Sequence, residues 1–432
     1  MRSLRPEQAA ELVRPVDSLS VPLGPGQPGS LLHALSARDD FTDLTVSSAL
    51  LLDLYPLFAR KGVRLESGFF GPAERALRAA GHDVDFVIGD FRRFAGLLEA
   101  RPPRVMATSV APAGPDGRYS LSLHAGASVA AMHQCGRDPE RLLIAEVNAE
   151  LPRTFGMPPD HLHSLGPDEI DVLIESDRPA PVLDEPPPSE IERAIARHIA
   201  AFVPERATLQ TGIGGVPSAV ASLLAEGEGG DYGIHSEMFT TGLMKLCEAG
   251  KVSNAHKGQF DGKSICTFAY GTRALHEWLH ENESVCFIPV HLVNDPATIA
   301  KNHRMIAING ALAVDLGGQV VADTLAGRQY SGIGGHEDFV GGASMQRDDH
   351  SVVCLPATAV VGGREISRIQ AVLPRGSIVT TPRHQIDIVV TEYGAAVLRD
   401  LTHNERAQAL AAIAHPAVRE KLLRGEDDVA VD

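Results

Sequence analysis

Ala207–Gly250 reads ATLQTGIGGVPSAVASLLAEGEGGDYGIHSEMFTTGLMKLCEAG, and its pattern changes from segment to segment. ATLQTG is a short apolar run of strand length that ends in glycine. PSAVASLLAE repeats its apolar residues at helical spacing, DYGIHSE is a second short run, and GLMKLCEAG is a second helical one. Strands alternating with helices of about ten residues predict βαβ units built around a mostly parallel sheet.

The same alternation continues in both directions. Upstream lie VRLESGFF, AERALRAAG, DVDFVIG, RRFAGLLEA, PRVMATSVA and RLLIAEVN, and downstream SICTFAYG, TRALHEWLH and VCFIPVHLVND. The Pro-rich acidic stretch DRPAPVLDEPPPSEIE (Asp177–Glu192) interrupts the pattern and reads as a linker. Ser189 then opens the apolar-periodic segment EIERAIARHIAAFV, predicted as the first helix of a second domain. The chain is therefore expected to be α/β with two open-sheet domains, residues 1–180 and 189–432. The halves also resemble degenerate copies. VPLGPGQPGSLLHAL aligns with LQTGIGGVPSAVASL, placing Gly24 on Gly212, Gly26 on Gly214 and Ser30 on Ser218, while ESGFFG loosely parallels HSEMFT and sets Gly68 opposite Glu237. Two unrelated βα turns of ordinary composition are the alternative.

Composition sets bounds. With 432 residues, 44% hydrophobic and 22% charged, the chain is long enough for two globular domains. A net charge of −16 argues against a nucleic-acid partner, which needs a basic face. No run approaches the roughly 18 apolar residues of a membrane span, and MRSLRPEQAAELVRP lacks the apolar centre of a secretory signal, so a soluble, cytoplasmic protein with no membrane partner is expected. Cys135, Cys247, Cys266, Cys286 and Cys354 are odd in number and never spaced as CxxC. That pattern argues against a disulfide framework or a zinc site, and no metal is expected.

Three segments carry chemistry. In TLQTGIGGVPSAV (Thr208–Val220), Gly212, Gly214 and Gly215 permit a tight turn, Pro217 suits the first turn of a helix, and the free amides of a helix start can hold a phosphate or an oxyanion. A plain βα turn fits the same residues, and Ser218 stands where a dinucleotide-binding GxGxxG would need its third glycine. In DYGIHSEMFT (Asp231–Thr240), Glu237 falls at the carboxyl end of a strand, where α/β sheets bind ligands; a helix-capping acid is the other reading. In YSGIGGHEDFVGGAS (Tyr330–Ser344), Gly332, Gly334, Gly335, Gly341 and Gly342 predict a long amide-rich loop, neither helix nor strand, that approaches a ligand closely; a long flexible surface loop is the alternative.

With these segments together, the chain resembles the acetyl-CoA hydrolase/transferase family, from about Asp43 onward. The resemblance is carried by AEVNAELPRTFG (Ala145–Gly156), ATLQTGIGGVPSAV, GIHSEMFTTGL, AINGALAVDLGGQVVAD (Ala307–Asp323), SGIGGHEDFVGGAS, VVTEYGAAVLRDL (Val389–Leu401) and ERAQALAAIAHPAVRE (Glu405–Glu420). It implies two CoA-transferase-type (NagB/RpiA-like) domains with the active site between them, and acyl-CoA:carboxylate CoA transfer with Glu237 as nucleophile. It also implies a coenzyme-binding turn at Gly212, Ile213, Gly214, Gly215 and Val216, a CoA contact at Ser331, and oxyanion-stabilising amides at Val216 and Gly335. Coenzyme A would be a substrate rather than a bound cofactor, a small carboxylate such as acetate the acceptor, and the assembly a homodimer or larger homo-oligomer. An acyl-CoA hydrolase using the same residues and a catalytically silent CoA-binding protein are the alternatives; a nicotinamide oxidoreductase is weakened by the missing fingerprint. Three positions depart from the family pattern: His336 where glutamine is common, Gly341 where arginine is usual, and Arg206 in place of a glycine. His235, Glu392 and Tyr393 are expected to be structural; Arg328, Arg347, Lys257 and Arg364 are candidates for contacts to CoA phosphates, with solvated surface charge as the default reading of each.

Overall fold

The computed structural model describes residues 1–176, 178–426 and 431; Asp177, at the head of the expected linker, and 427–430 and 432, at the end of the expected second domain, lie outside them. The chain divides into two compact units, Met1–Leu183 with Ile265–Val293, and Asp184–Ser264 with Asn294–Asp432. The segment 265–293, read from sequence as part of the second domain, therefore belongs to the first unit. Non-local pairing is the reason: the Thr267 carbonyl accepts the amides of Ala125 and Gly126 at 2.7 and 3.0 Å, and Cys286 bridges Phe155. Residues 181–189 carry no regular secondary structure, as a proline-rich linker predicts.

The first unit holds an eight-stranded sheet of β1 (Arg2–Ser3), β2 (Val16–Ser20), β3 (Asp43–Ser48), β4 (Val63–Ser67), β5 (Val84–Phe86), β6 (Val105–Val110), β7 (Leu142–Val147) and β8 (Val172–Glu175), in the order β1-β8-β7-β6-β2-β3-β4-β5. All its pairings are parallel. The second unit holds β9 (Thr208–Thr211), β10 (Gly233–Ile234), β11 (Met305–Gly310), β12 (His350–Cys354), β13 (Ile388–Thr391) and β14 (Gly394–Val397), in the order β10-β9-β11-β12-β13-β14. Only its β13–β14 edge is antiparallel. β6, β9 and β13 are buried at every position, which a parallel sheet covered on both faces requires.

The two sheets share one winding. In each, the strand before the glycine turn (β2, β9) pairs on one side with the next strand in the chain (β3, β10) and on the other with β6, β7, β8 or β11, β12, β13 in turn. This supports the expected duplication but corrects its second half. The counterpart of the Glu237 segment is the end of β3, whereas Gly68 follows β4, one strand further out.

Helix α1 (Gly29–Ser36) follows the first turn, and α2 (Glu190–Ala200) opens the second unit. Ser189 caps α2 as predicted: its hydroxyl accepts the Glu192 amide at 3.3 Å while the Glu192 carboxylate accepts the Ser189 amide at 2.7 Å. Ser189→Ala is expected to cost about 1 kcal/mol of stability, read as a lowered urea midpoint at unchanged slope.

The expectation of a loop across 330–344 is also corrected, because His336–Gly342 is a helix. Phe339 and Val340 are fully buried, and a Cβ on Gly342 would come within 2.5 Å of Ile299. Burying two large apolar side chains, at about 1.5–3 kcal/mol each, outweighs the roughly 1 kcal/mol per glycine that propensity charges against the helix.

Candidate active site

β9 delivers the chain into the glycine turn. Gly214 has φ +117°, a conformation side-chain-bearing residues rarely adopt, and it caps α3 (Gly215–Glu226). Gly215 and Val216 occupy the first turn, where amides have no helical acceptor. Gly212, Ile213 and Gly214 form the connecting bend, with Ile213 and Gly214 exposed.

Strand register carries Glu237 to the same place. Thr208 pairs with Gly233 and Leu209 with Ile234, so continuing along both strands brings Gly212 level with Glu237. Two contacts hold that register beyond the ladder: the His235 amide donates to the Leu209 carbonyl at 3.1 Å, and the Ser236 hydroxyl donates to the Thr211 carbonyl at 3.2 Å. Thr240 then caps α4 (Thr241–Glu248), accepting the Leu243 amide at 3.4 Å. A Cβ on Gly242 would lie 3.1 Å from the Ala221 Cβ of α3, so the helices flanking Glu237 meet at small residues.

The Glu237 side chain is half-buried and held by partners distant in sequence. Asn294 Nδ2 donates to its Oε2 at 2.7 Å and, in the same geometry, to Asp338 Oδ2 at 3.2 Å. Asn294 is fully buried, and Asp338 sits 1% exposed in α5 (His336–Gly342). Gly335, the cap of α5, lies directly against the carboxylate: a Cβ there would stand 2.1 Å from Glu237 Oε2 and 2.5 Å from Asn294 Nδ2. Its φ of −93° is open to any residue, so it is space that demands glycine here. Desolvation pushes the Glu237 carboxyl up to about 7; the Asn294 hydrogen bond pulls it down and the neighbouring Asp338 charge pushes it up again. A carboxyl so raised, reachable and next to a glycine turn at the carboxyl end of a parallel strand has the marks of a functional group.

Of the predicted residues, the structure thus joins Glu237 to Gly335 by contact and to the Gly212–Val216 turn by strand register. Ser331 donates its amide to the Asp323 carbonyl at 3.0 Å and its hydroxyl to the Gly332 carbonyl at 3.4 Å. Glu392 accepts the Ala357 amide at 2.8 Å. Arg206, at the family's glycine position, has φ +62°, which explains why glycine suits it.

Residues 271–425 match the acetyl-CoA hydrolase/transferase C-terminal domain. Over 421 residues the chain is 34% identical to a succinyl-CoA:cyclohexane-1-carboxylate CoA transferase of Geobacter metallireducens, an alignment covering 96% of this chain and 93% of that protein. The chain belongs to the acetyl-CoA hydrolase/transferase family of enzymes. It is also 40% identical over 283 residues to a 4-hydroxybutyrate coenzyme A transferase of Clostridium kluyveri; that match spans 66% of this chain and 64% of the relative's length. The crystal structure of RipA from Yersinia pestis superposes with a TM-score of 0.89 at 31% identity, covering 98% of this chain and 96% of that one.

Within this family member, Asn294 was not legible as a site residue. It ends the apolar run VCFIPVHLVN, and its neighbour Asp295 spends its carboxylate capping the following turn at Thr298. His336, the departure beside Gly335, is buried, and burial lowers its imidazole to about 4. Thr381 donates its hydroxyl to Glu337 and so accepts from His336 Nε2–H at 2.9 Å, which fixes the neutral tautomer. Lys257 is corrected: it is fully buried, with Nζ donating to the Lys263 carbonyl at 2.6 Å, and cannot meet a phosphate in solvent. Among the described residues no group of side chains is arranged to hold a metal ion, and no helix is long and apolar enough to cross a membrane.

Proposed function

We propose that this chain is an acyl-CoA:carboxylate CoA-transferase in which Glu237 is the covalent nucleophile and a small carboxylate, such as acetate, is the acceptor. The single observation that carries the reading is the desolvated Glu237 carboxylate held by Asn294 at 2.7 Å against the bare Cα of Gly335. Glu237 Oε attacks the acyl carbonyl, the C–S bond breaks, and CoA thiolate leaves an acyl-glutamyl anhydride. The thiolate attacks the glutamyl carbonyl, giving a Glu237–CoA thioester and releasing the free acid. An incoming carboxylate attacks that thioester to regenerate an anhydride and thiolate. The thiolate then attacks the new acyl carbonyl, releasing the new acyl-CoA and the Glu237 carboxylate. The cycle is ping-pong and consumes no proton or electron.

Each tetrahedral intermediate places negative charge on oxygen. The amides of Val216 and Gly335 are the assigned donors, each worth roughly 3 kcal/mol if aimed as oxyanion-hole donors elsewhere are. Partial exclusion of water makes the carboxylate a sufficient nucleophile. In its acid form it cannot attack, so kcat/KM is expected to rise with pH through an inflection near 7 and to level off above it. Asn294→Ala removes the donor that favours the charged carboxylate, and the inflection should move to higher pH; an unmoved inflection would show that another group governs the profile.

Incubating the protein with acyl-CoA, with and without acetate, tests the assignment. Acetate-dependent acetyl-CoA, together with an intact-mass increase of one CoA less one water that Glu237→Ala abolishes, is the expected result. Thiol release independent of acetate would instead make the protein a hydrolase, and the lack of any adduct would refute the nucleophile.

A further inference from the structure

Away from Glu237, the second unit carries an open depression of about 500 Å³ lined by Gly317, Arg383, His384, Leu401, His403 and Arg406. Two guanidiniums and two imidazoles face it, with no carboxylate in its walls. That is conspicuous in a chain of net charge −16, where arginines such as Arg104, Arg273 and Arg399 are paired with Asp17, Glu150 and Asp387. Among the described residues neither guanidinium and neither imidazole forms an ion pair. The adjacent acids are already engaged: Asp315 accepts the amides of Gly317 and Gln319 at 3.0 and 2.9 Å, and Glu405 accepts the amide and hydroxyl of Thr402 at 2.8 and 2.6 Å.

The walls are built rather than incidental. Thr381, two residues before Arg383, is fixed by reciprocal backbone bonding with Val320, and Arg406 Nη1 donates to the Arg383 carbonyl at 2.5 Å. A Cβ on Gly318, at φ +94°, would stand 3.3 Å from Arg406 Nη1, so the turn fits closely around that guanidinium. Arg406 thus keeps further N–H donors for the depression, beside a second guanidinium. Forked guanidiniums that lack a carboxylate match the oxygens of a phosphate group.

We propose that this depression is a phosphate-binding site, taking a phosphate ester or diphosphate. Two sources share that chemistry: the nucleotide end of a CoA substrate, or a separate phosphorylated metabolite. The first rests on the transferase reading, and one link favours it, since Thr381 contacts His336 at 2.9 Å and His336 adjoins Gly335.

Titrating inorganic pyrophosphate into the full-length protein by calorimetry tests the site without needing activity. The Arg383→Gln/His403→Gln variant alters exposed side chains and leaves Arg406 on its carbonyl, so its melting temperature should stay unchanged while its affinity for pyrophosphate falls at least tenfold. Wild-type protein that does not bind pyrophosphate, or a variant that binds it equally well, overturns the proposal. If pyrophosphate competes with acyl-CoA and the variant raises KM for acyl-CoA about tenfold at constant kcat, the phosphates are the substrate's own. If pyrophosphate binds without competing and KM stays put, the site serves a separate phosphorylated ligand.

Discussion

Glu237→Gln is expected to lower CoA transfer by roughly four orders of magnitude or more, while leaving a folded protein that still binds acyl-CoA. The amide keeps the shape of the carboxylate and can still accept from Asn294 Nδ2, now 2.7 Å from Oε2, but it cannot form the anhydride. The same variant should gain stability in a pH-dependent way. Below the ordinary carboxyl range near 4.5, Glu237 is protonated in both folded and unfolded chains and contributes nothing to the difference. As pH rises towards about 7, the unfolded chain releases the proton while the folded site retains it, so folding is progressively penalised, and above that value the penalty is constant. Glu237→Gln removes it. The variant should therefore be more stable than wild type at pH 8, by an amount on the order of 3 kcal/mol, and about equally stable at pH 4.5. Equal melting at both values would mean that the carboxylate is not desolvated, and a variant retaining more than a few per cent of transfer would remove Glu237 from the chemistry altogether.

What the sequence disclosed follows the range over which each signal acts. The alternation in Ala207–Gly250 is local, and it placed Glu237 at a strand end beside a glycine turn, where the register of β9 and β10 puts it. Ser189 with Glu192 is a capping pair readable within four residues. The failures are the non-local ones. Asn294 reaches Glu237 across a separation of 57 residues, and nothing in its immediate neighbourhood distinguishes it from a turn residue. The glycines of 332–342 signal conformational freedom, yet burial of Phe339 and Val340, set by residues elsewhere in the chain, decides for a helix. The same holds for 265–293, whose pairing with Ala125 and Phe155 assigns it to the first unit. The likeness of ESGFFG to HSEMFT is a two-strand coincidence that only sheet order could expose.

Gly335→Ala should lower kcat about a hundredfold or more with little loss of stability. The added Cβ would stand 2.1 Å from Glu237 Oε2 and 2.5 Å from Asn294 Nδ2, inside the contact distance that real Cβ atoms keep. What must yield is the carboxylate end of Glu237 together with the Asn294 amide that holds it, because α5 is anchored by fully buried Phe339 and Val340, whereas the glutamate is only half-buried. The fold therefore survives while the nucleophile leaves its donor and its approach to the thioester, and a displacement of about 1 Å at reacting atoms is enough for that loss. Gly341→Ala, within α5 itself, is the matched control: nothing lies within 4 Å of its added methyl, and alanine is the better helix former. It should keep wild-type kcat and melt slightly higher. If instead both alanine variants turn over acyl-CoA like the wild type, Glu237 does not act from the position where Asn294 and Gly335 hold it, and the nucleophile assignment loses its geometric basis.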